Sequence, residues 1–311
     1  MSFKDRMTAR VFQLVLGRMM RPQPALLLRG RELPAPEPMT VPTAAGPVRV
    51  LVYRPAAAPA DALPPVYVNF HGGGFIVRHP EFDDHLCRAV VADTGCVLVN
   101  VDYDVAPQRP FPVAPEQAFG VTAWVAQHGA EHGWDGARLA VGGQSSGGNL
   151  ATGVCLAARQ QGSFLPLLQI LNFPPLDLAT DPNSKVARTT KPLIPPSMAA
   201  LFNNAYAPDP AHRRDPLVSP LFAPDLTGMP PALIITAEYD LLADEGAAYA
   251  ARLAEAGVPV VHHVMPGVDH AFTHSGPVDP LSTALSLMTQ ALERAWVSPG
   301  ARPDVLDEGR S

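Results

Sequence analysis

The 311-residue sequence has few cysteines, few charged residues and no long apolar run. Each of these shortages argues against one class of protein. The three cysteines, Cys87, Cys96 and Cys155, lack the spacing of a metal site, so we expect a cytoplasmic protein with reduced thiols in its core. Charged residues make up 17% of the chain, the net charge is −6, and lysine and arginine form no dense cluster, so we expect no nucleic-acid partner. No stretch approaches the roughly 20 apolar residues of a transmembrane helix.

Hydrophobic residues, at 47% of the sequence, are plentiful enough for a large globular core. Predicted strands and helices alternate along the chain, which favours an α/β fold with a mostly parallel central sheet flanked by helices. The predicted strands cover residues 48–53, 66–70, 96–101, 138–142, 167–173, 232–236 and 258–265. The predicted helices cover residues 82–92, 116–128, 150–158, 198–206, 243–256 and 281–296.

Two proline-rich segments break this alternation. Residues 1–45 precede the first predicted strand, and residues 175–225 separate two later ones. We expect both segments to form a small helical cap over the C-terminal edge of the sheet, where open α/β folds bind ligands. The core of the fold then comprises residues 46–174 and 226–297, and residues 298–311 form a loose C-terminal tail.

The N-terminal segment has a weak similarity to a signal peptide, because basic residues precede the apolar run 11–16. That run is short, contains Gln13 and ends at Arg18 without a small-residue cleavage site. An amphipathic helix that packs on the protein is therefore the favoured interpretation, and a membrane-surface role is the alternative.

A serine lies between a predicted strand and a predicted helix, in the segment Gly143-Gln144-Ser145-Ser146-Gly147. This segment fits the Gly-x-Ser-x-Gly pattern, in which flanking glycines permit a sharp turn from strand to helix. Such a turn exposes the serine hydroxyl and aims backbone N–H groups at the start of the helix, where negative charge is favoured. The context therefore predicts that Ser145 is a nucleophile.

A serine hydroxyl is a weak nucleophile, so it needs a base. His270 is the favoured base because it lies in a loop after the last predicted strand. His274, four residues later, and the pair His262 and His263 within the strand are the alternatives.

The base needs an orienting acid, for which Asp240 is favoured because it closely follows a predicted strand. Asp244 and Glu245 begin the next helix, where acidic residues commonly interact with the helix dipole. The chain order Ser145, Asp240, His270 is the order described for α/β-hydrolases.

Three consecutive glycines, Gly72, Gly73 and Gly74, follow His71 and another predicted strand. Because they carry no side chains, their backbone N–H groups can approach a ligand without obstruction. A glycine run alone indicates only a turn, but its position in the strand order beside the serine motif favours a functional role.

Together these motifs resemble the hormone-sensitive-lipase branch of the α/β-hydrolases, including its bacterial carboxylesterases. The resemblance covers about residues 48–297. The matching segments are 71–74, 101–112, 143–148, 219–221, 240–246 and 269–272. It implies an α/β-hydrolase fold with a small helical cap and a catalytic triad of Ser145, His270 and Asp240.

The resemblance also implies an oxyanion hole formed by the backbone N–H groups of Gly73, Gly74 and Ser146. In this family the histidine at His71 supports the glycine loop and is not catalytic. Neither a cofactor nor a metal is implied.

Four residues depart from the family pattern. Gln144 and Ser146 flank the nucleophile where aspartate and alanine are usual. Asp104 and Gln108 stand where the family has arginine and glutamate. None of these changes removes a catalytic group, and Gln144 is where we expect this protein to differ from its relatives.

The implied function is that of a serine carboxylesterase, which hydrolyses short- to medium-chain carboxylic esters through an acyl-serine intermediate. An amide or formamide hydrolase with the same triad is an alternative, and a non-catalytic small-molecule receptor of the same fold is a less favoured one. The partner is then a small-molecule ester. An edge strand near residues 258–264 could also pair across a two-fold axis in a homodimer, as in related esterases.

Overall fold

One eight-stranded sheet with helices on both faces organises the computed structural model, which describes residues 3–19, 24–57 and 62–297. The strands are β1 (Glu37–Val41), β2 (Val48–Tyr53), β3 (Pro65–Phe70), β4 (Val97–Asp102), β5 (Asp135–Gln144), β6 (Gln169–Asn172), β7 (Ala232–Ala237) and β8 (Val260–Met265). The helices are α1 (Phe3–Met19), α2 (Asp84–Thr94), α3 (Val113–Gln127), α4 (Gly129–His132), α5 (Ser146–Gln161), α6 (Pro196–Tyr206), α7 (Ala243–Glu255), α8 (Phe272–Ser275) and α9 (Val278–Val297).

The strand order is β1-β2-β4-β3-β5-β6-β7-β8. The strands from β4 through β8 along this order are parallel, whereas β2 is antiparallel to both β1 and β4. This confirms the predicted α/β fold with a mostly parallel sheet. The seven predicted strands are all present, with ends that move by a few residues.

Strand β1 is the one strand of the described sheet that the sequence pattern missed. It lies inside the segment 1–45 that was predicted to belong to the cap, and it pairs with β2. Only Val41 of its five residues is buried, because an edge strand has a neighbour on one side only. A strand that buries so little shows no hydrophobic pattern from which it could be predicted.

Helices on both faces explain why the central strands are continuous apolar runs. All six residues of β4 and of β7 are buried. Helices α3, α5 and α7 contribute to the core on one face, and α2 and α9 to the core on the other. A parallel sheet covered in this way buries alternate side chains on opposite sides, so apolar residues are needed at every position.

The strand registers bring four loops to one edge of the sheet. Phe70 pairs with Gly143, Gln144 with Asn172, and Ala237 with Met265. The loops that follow β3, β5, β7 and β8 therefore leave the sheet side by side. These are the loops that carry the glycine run and the three predicted triad residues.

Helices α1 and α6 from the two proline-rich segments pack against each other over this edge. Ala9 of α1 is buried, and the rings of Phe12 and Phe202 meet edge to face with centroids 5.8 Å apart. The predicted amphipathic N-terminal helix is therefore present and packs on the protein. Among the described residues, no helix is long and apolar enough to cross a membrane. The predicted C-terminal tail, residues 298–311, lies outside the described residues.

Candidate active site

Ser145 occupies the sharp turn that the Gly-x-Ser-x-Gly pattern predicts. It joins β5 to α5 with a φ of 53° and a ψ of −119°, a conformation that residues other than glycine rarely adopt. The chain is crowded here, because a Cβ atom on Gly147 would overlap the carbonyl oxygen of Phe70 in β3. Glycine at position 147 therefore lets α5 begin directly against the sheet, with the Ser145 hydroxyl at the edge.

Three side chains from three loops form a continuous chain of hydrogen bonds. Oγ of Ser145 lies 2.8 Å from Nε2 of His270, and Nδ1 of His270 lies 2.7 Å from Oδ2 of Asp240. A carboxylate can only accept, so Nδ1 donates to Asp240 and Nε2 is left to accept the Ser145 proton. All three residues are buried. This arrangement can take the proton from the serine hydroxyl as it attacks a substrate.

Neighbouring contacts hold the histidine and the aspartate in place. The backbone N–H of Leu242 donates to Oδ1 of Asp240 at 3.0 Å, which leaves Oδ2 for the histidine. The ring of Phe173 meets the His270 imidazole edge to face, with centroids 5.0 Å apart. Sequence reasoning missed Phe173, because its local pattern is that of any core phenylalanine at the end of a strand.

The alternative histidines have other partners. His274 borders the same pocket as Ser145, but its Nε2 bonds Oδ1 of the buried Asp83 at 2.9 Å. His262 bonds the Thr236 hydroxyl at 2.9 Å, and burial lowers the pKa of this imidazole. The histidine that accepts the hydrogen bond of the Ser145 hydroxyl is His270.

The alternative acids bind the segment 175–225. Asp244 pairs with Arg188 at 2.6 Å on the surface. Glu245 is buried and pairs with Lys185, and its Oε2 also accepts backbone N–H groups of residues 176 and 177 at 2.7 and 2.8 Å. Sequence reasoning assigned both acids to the helix dipole and did not find these contacts, since their partners are about 60 residues away.

The glycine loop presents free N–H groups beside Ser145. Gly73 and Gly74 have positive φ angles of 128° and 59°, and a Cβ atom on either would lie 2.7 Å from a neighbouring atom. Among the described residues, the backbone N–H groups of Gly73, Gly74 and Ser146 have no hydrogen-bond acceptor. Free donors from a loop and from a helix N-terminus suit a developing negative charge.

His71 lies beneath this loop. It is fully buried, its ring stacks on that of Tyr103 with centroids 4.3 Å apart, and Nδ1 donates to the Gly72 carbonyl at 2.7 Å. The Tyr103 hydroxyl in turn donates to the His71 carbonyl at 2.8 Å. Burial lowers the pKa of His71, so the imidazole is neutral near pH 7 and acts through its shape and one hydrogen bond.

Two of the four residues that depart from the family pattern form hydrogen bonds to helices. Gln108 bonds α1, and Asp104 bonds α3. The Gln108 amide donates to Oε1 of Gln13 in α1 at 2.8 Å, and the Gln13 amide donates to the Ile76 carbonyl at 2.6 Å. Asp104 accepts a hydrogen bond from the Gln117 amide of α3 at 3.0 Å. These residues replace the family's arginine and glutamate with a polar connection that reaches α1.

Gln144 is the unusual neighbour of Ser145. It is 1% exposed, and neither the oxygen nor the nitrogen of its carboxamide has a hydrogen-bond partner among the described residues. A buried polar group without a partner loses its hydration and gains nothing in return. Gln144 also borders the pocket that contains Ser145, so its carboxamide is unpaired where no water or bound molecule meets it.

A cavity of about 350 Å³, which we call the serine pocket, contains the Ser145 hydroxyl, His270 and the glycine loop. Its walls are largely apolar. They include Phe82, Phe173, Leu193, Ile194, Met198 and Phe202. Four of these six residues come from the segment 175–225, so this segment shapes the pocket.

The cysteines take no part in the site. All three are free and buried, as the sequence predicts, and burial raises the pKa of the Cys96 thiol to about 12. Within residues 3–19, 24–57 and 62–297, no group of three or more histidine, cysteine, aspartate or glutamate residues could hold a metal ion.

Comparison with known proteins places the chain among hydrolases. A family model of the α/β-hydrolase fold matches residues 67–274. Esterase LipI of Mycobacterium tuberculosis is 35% identical over 240 residues, or 77% of this chain and 75% of that protein. The ethyl acetate hydrolase of Pseudomonas putida is 35% identical over 248 residues, or 79% and 78% of the two chains. A hyperthermophilic esterase from the archaeon Pyrobaculum calidifontis superimposes with a TM-score of 0.84 and 33% identity, covering 96% of this chain and 95% of that one. The chain belongs to the hormone-sensitive-lipase-like branch of the α/β-hydrolase fold family.

Proposed function

We propose that the chain is a serine carboxylesterase that hydrolyses short- to medium-chain carboxylic esters through an acyl-serine intermediate. The hydrogen-bonded chain from Asp240 through His270 to Ser145 is the observation that carries this proposal. The names of its relatives, esterase and ethyl acetate hydrolase, support the same class of substrate.

The reaction begins when Oγ of Ser145 attacks the ester carbonyl carbon while Nε2 of His270 takes the hydroxyl proton. The C–O bond to the alcohol then breaks, and the same Nε2 returns the proton to the leaving oxygen. Asp240 keeps Nδ1 protonated and stabilises the imidazolium. A water molecule, deprotonated in the same way, attacks the acyl-serine and releases the carboxylic acid.

The carbonyl oxygen becomes negatively charged in each tetrahedral intermediate. We assign its stabilisation to the backbone N–H groups of Gly73, Gly74 and Ser146, which are free of other acceptors among the described residues. Donors that are already in place cost no reorganisation during the reaction. His71 serves as the support of this loop through its bond to the Gly72 carbonyl.

The size and walls of the serine pocket support a preference for short to medium acyl chains. Its volume of about 350 Å³ is enclosed by apolar side chains from the segment 175–225 and from the core. We assign the cap to residues 1–45 and 175–225, apart from strand β1. Activity that increases steadily toward long-chain emulsified lipids would contradict this preference.

The test is hydrolysis of a chain-length panel of 4-nitrophenyl esters by the wild type, Ser145→Ala and Ser286→Ala. We expect Ser145→Ala to lose at least about 10³-fold in kcat, since the nucleophile is gone. The control is Ser286→Ala, which removes a partly buried hydroxyl from α9 outside the serine pocket, so it should keep wild-type activity. Folded Ser145→Ala protein with undiminished activity would overturn the proposal, as would a wild type that binds these esters without cleaving them.

Two further expectations remain open to test, namely the cytoplasmic location and the homodimer. Strand β8 lies at the edge of the described sheet, and Val264 within it is 50% exposed. Pairing of two β8 strands would bond the backbone N–H and C=O groups that the edge of the sheet leaves open. The molar mass of the protein in solution checks the homodimer directly.

A further inference from the structure

A second cavity, of about 380 Å³, lies next to the serine pocket. We call it the lysine cavity. The two cavities share Leu193, His270 and Ser275, but neither Ser145 nor the glycine loop borders the second one. His270 therefore faces two compartments, one with the nucleophile and one without it.

Leu193 borders both compartments, and its backbone is held by the loop that carries His270. Its backbone N–H donates to Oδ2 of Asp269 at 2.7 Å, and Oδ1 of Asp269 accepts the backbone N–H of His270 at 2.7 Å. The Asp269 carboxylate thus connects the backbone of Leu193 to the loop that carries His270.

The chemistry of ester cleavage indicates which part of the substrate lies near each compartment. In the tetrahedral intermediate the oxyanion lies at the glycine loop, and the leaving oxygen lies at His270, which must protonate it. The acyl group remains on Ser145 after the alcohol leaves, so it occupies the compartment that contains Ser145. The leaving oxygen of the alcohol lies at His270, which borders the lysine cavity as well.

The walls of the lysine cavity are more polar than those of the serine pocket. They include Thr189, Lys191, Tyr239 and Asp269. Both carboxylate oxygens of Asp269 accept backbone N–H groups. The Lys191 ammonium, in contrast, has no hydrogen-bond or ion-pair partner within the residues that the structure describes.

We propose that the lysine cavity binds the alcohol portion of the ester and that Lys191 selects substrates in which this portion carries an anionic group. This inference rests on the proposed esterase function and specifies its substrate class: an apolar acid esterified to an anionic alcohol. Carboxylate and phosphate groups share the chemistry that a lysine ammonium recognises.

A matched pair of esters tests this selection. The esters 4-carboxyphenyl butyrate and 4-carbamoylphenyl butyrate have the same acyl group and nearly the same shape, but only the first carries a negative charge. For each protein we take the ratio of the two kcat/KM values. Comparing this ratio between variants cancels the different intrinsic reactivities of the two esters.

We expect Lys191→Gln to lower this ratio about two- to fivefold, the range of an exposed ion pair. Lys191→Arg should keep the ratio, because it keeps the charge. Arg31→Gln, which removes one exposed positive charge that borders neither cavity, should leave it at the wild-type value. High salt should reduce the difference between wild type and Lys191→Gln, since exposed charges are screened.

Binding of the product analogue provides a test that does not depend on turnover. Calorimetry of 4-hydroxybenzoate with Ser145→Ala, with and without Lys191→Gln, should show weaker binding in the double variant. 4-Hydroxybenzamide should not distinguish the two proteins.

The outcomes separate the two proposals. Ser145-dependent cleavage of both esters with a ratio that Lys191→Gln does not change would overturn the lysine-cavity inference and leave the esterase proposal intact. A preference for 4-(trimethylammonio)phenyl butyrate would overturn it as well, because it would indicate that Asp269 and Tyr239 dominate the cavity. Cleavage that persists in Ser145→Ala would overturn the esterase proposal on which the inference depends.

Discussion

At the scale of single residues, the most distinctive side chain is the carboxamide of Gln144. It is buried beside Ser145, and neither of its polar atoms has a partner among the described residues. The equally buried Gln117 provides a contrast. Its carboxamide oxygen accepts the Asp104 N–H at 2.8 Å and its nitrogen donates to the Asp104 carboxylate at 3.0 Å. The same residue type is thus satisfied in one place and unsatisfied in the other.

Replacing each glutamine by methionine, which has a similar volume, should have opposite effects. We expect Gln144→Met to raise the free energy of unfolding by about 1–2 kcal/mol, because it removes an unpaired buried polar group. Gln117→Met should lower it by a similar amount, because it breaks two hydrogen bonds. Urea unfolding measures both. Destabilisation by Gln144→Met would indicate that a buried water bonds the carboxamide in solution.

Asp240 and Asp244 lie four residues apart but have very different surroundings. Asp240 is 1% exposed and bonds His270, while the side chain of Asp244 is 60% exposed and pairs with Arg188. Asp240→Asn should reduce kcat about 10³- to 10⁴-fold, because an amide can donate to Nδ1 and stabilise the wrong tautomer. Asp244→Asn should change kcat less than about twofold. Comparable losses in the two variants would refute the assignment of the acid.

At the scale of elements, the contact between α5 and β3 depends on the first turn of the helix. A Cβ atom on Gly147 would overlap the backbone of Phe70, whereas one on Gly153, two turns later, would meet only Leu217 at 3.7 Å. A glycine-to-alanine substitution therefore tests the close approach of helix and strand at position 147, and helix propensity at position 153.

Gly147→Ala should lower the free energy of unfolding by more than about 3 kcal/mol and abolish ester hydrolysis, because α5 must move off the sheet. Gly153→Ala should stabilise the protein by about 0.5–1 kcal/mol, since alanine favours the helix. Thermal unfolding and activity report on both variants. Retention of full activity by Gly147→Ala would show that the turn at Ser145 tolerates a shift of the helix.

At the scale of the whole molecule, the buried pair of Lys185 and Glu245 connects the segment 175–225 to α7. Burial raises the pKa of Glu245 to about 7 from an ordinary value of 4.5, even though Lys185 opposes this shift. Because the folded state holds this proton more tightly than the unfolded state, the stability from this group is greatest below pH 4.5. It is lost as the pH rises through about 7.

Relative to Glu245→Gln, the wild type should therefore lose roughly 3 kcal/mol of unfolding free energy between pH 4.5 and pH 8. Glu255→Gln, at the exposed end of the same helix, controls for the loss of a carboxylate. Urea unfolding at a series of pH values measures the difference. A constant difference across this range would show that Glu245 is ionised throughout.

Much of the site could be predicted because its signals are local. The glycines around Ser145 and after His71 mark tight turns, and the order of strands places both turns at one edge of the sheet. Strand β1 could not be predicted, because an edge strand needs few buried residues. The bond between Leu193 and Asp269 also left no local signal, since these residues are 76 positions apart.

The sequence by itself determined the fold class, the strand-to-helix turn at Ser145 and the candidate groups around it, because periodicity and glycine placement are properties of neighbouring residues. Only the tertiary structure decided which histidine meets the serine, which acid meets that histidine, and that Leu193 borders both cavities beside His270. Those outcomes depend on strand register and on the packing of distant segments, where a shift of a few ångströms breaks a hydrogen bond.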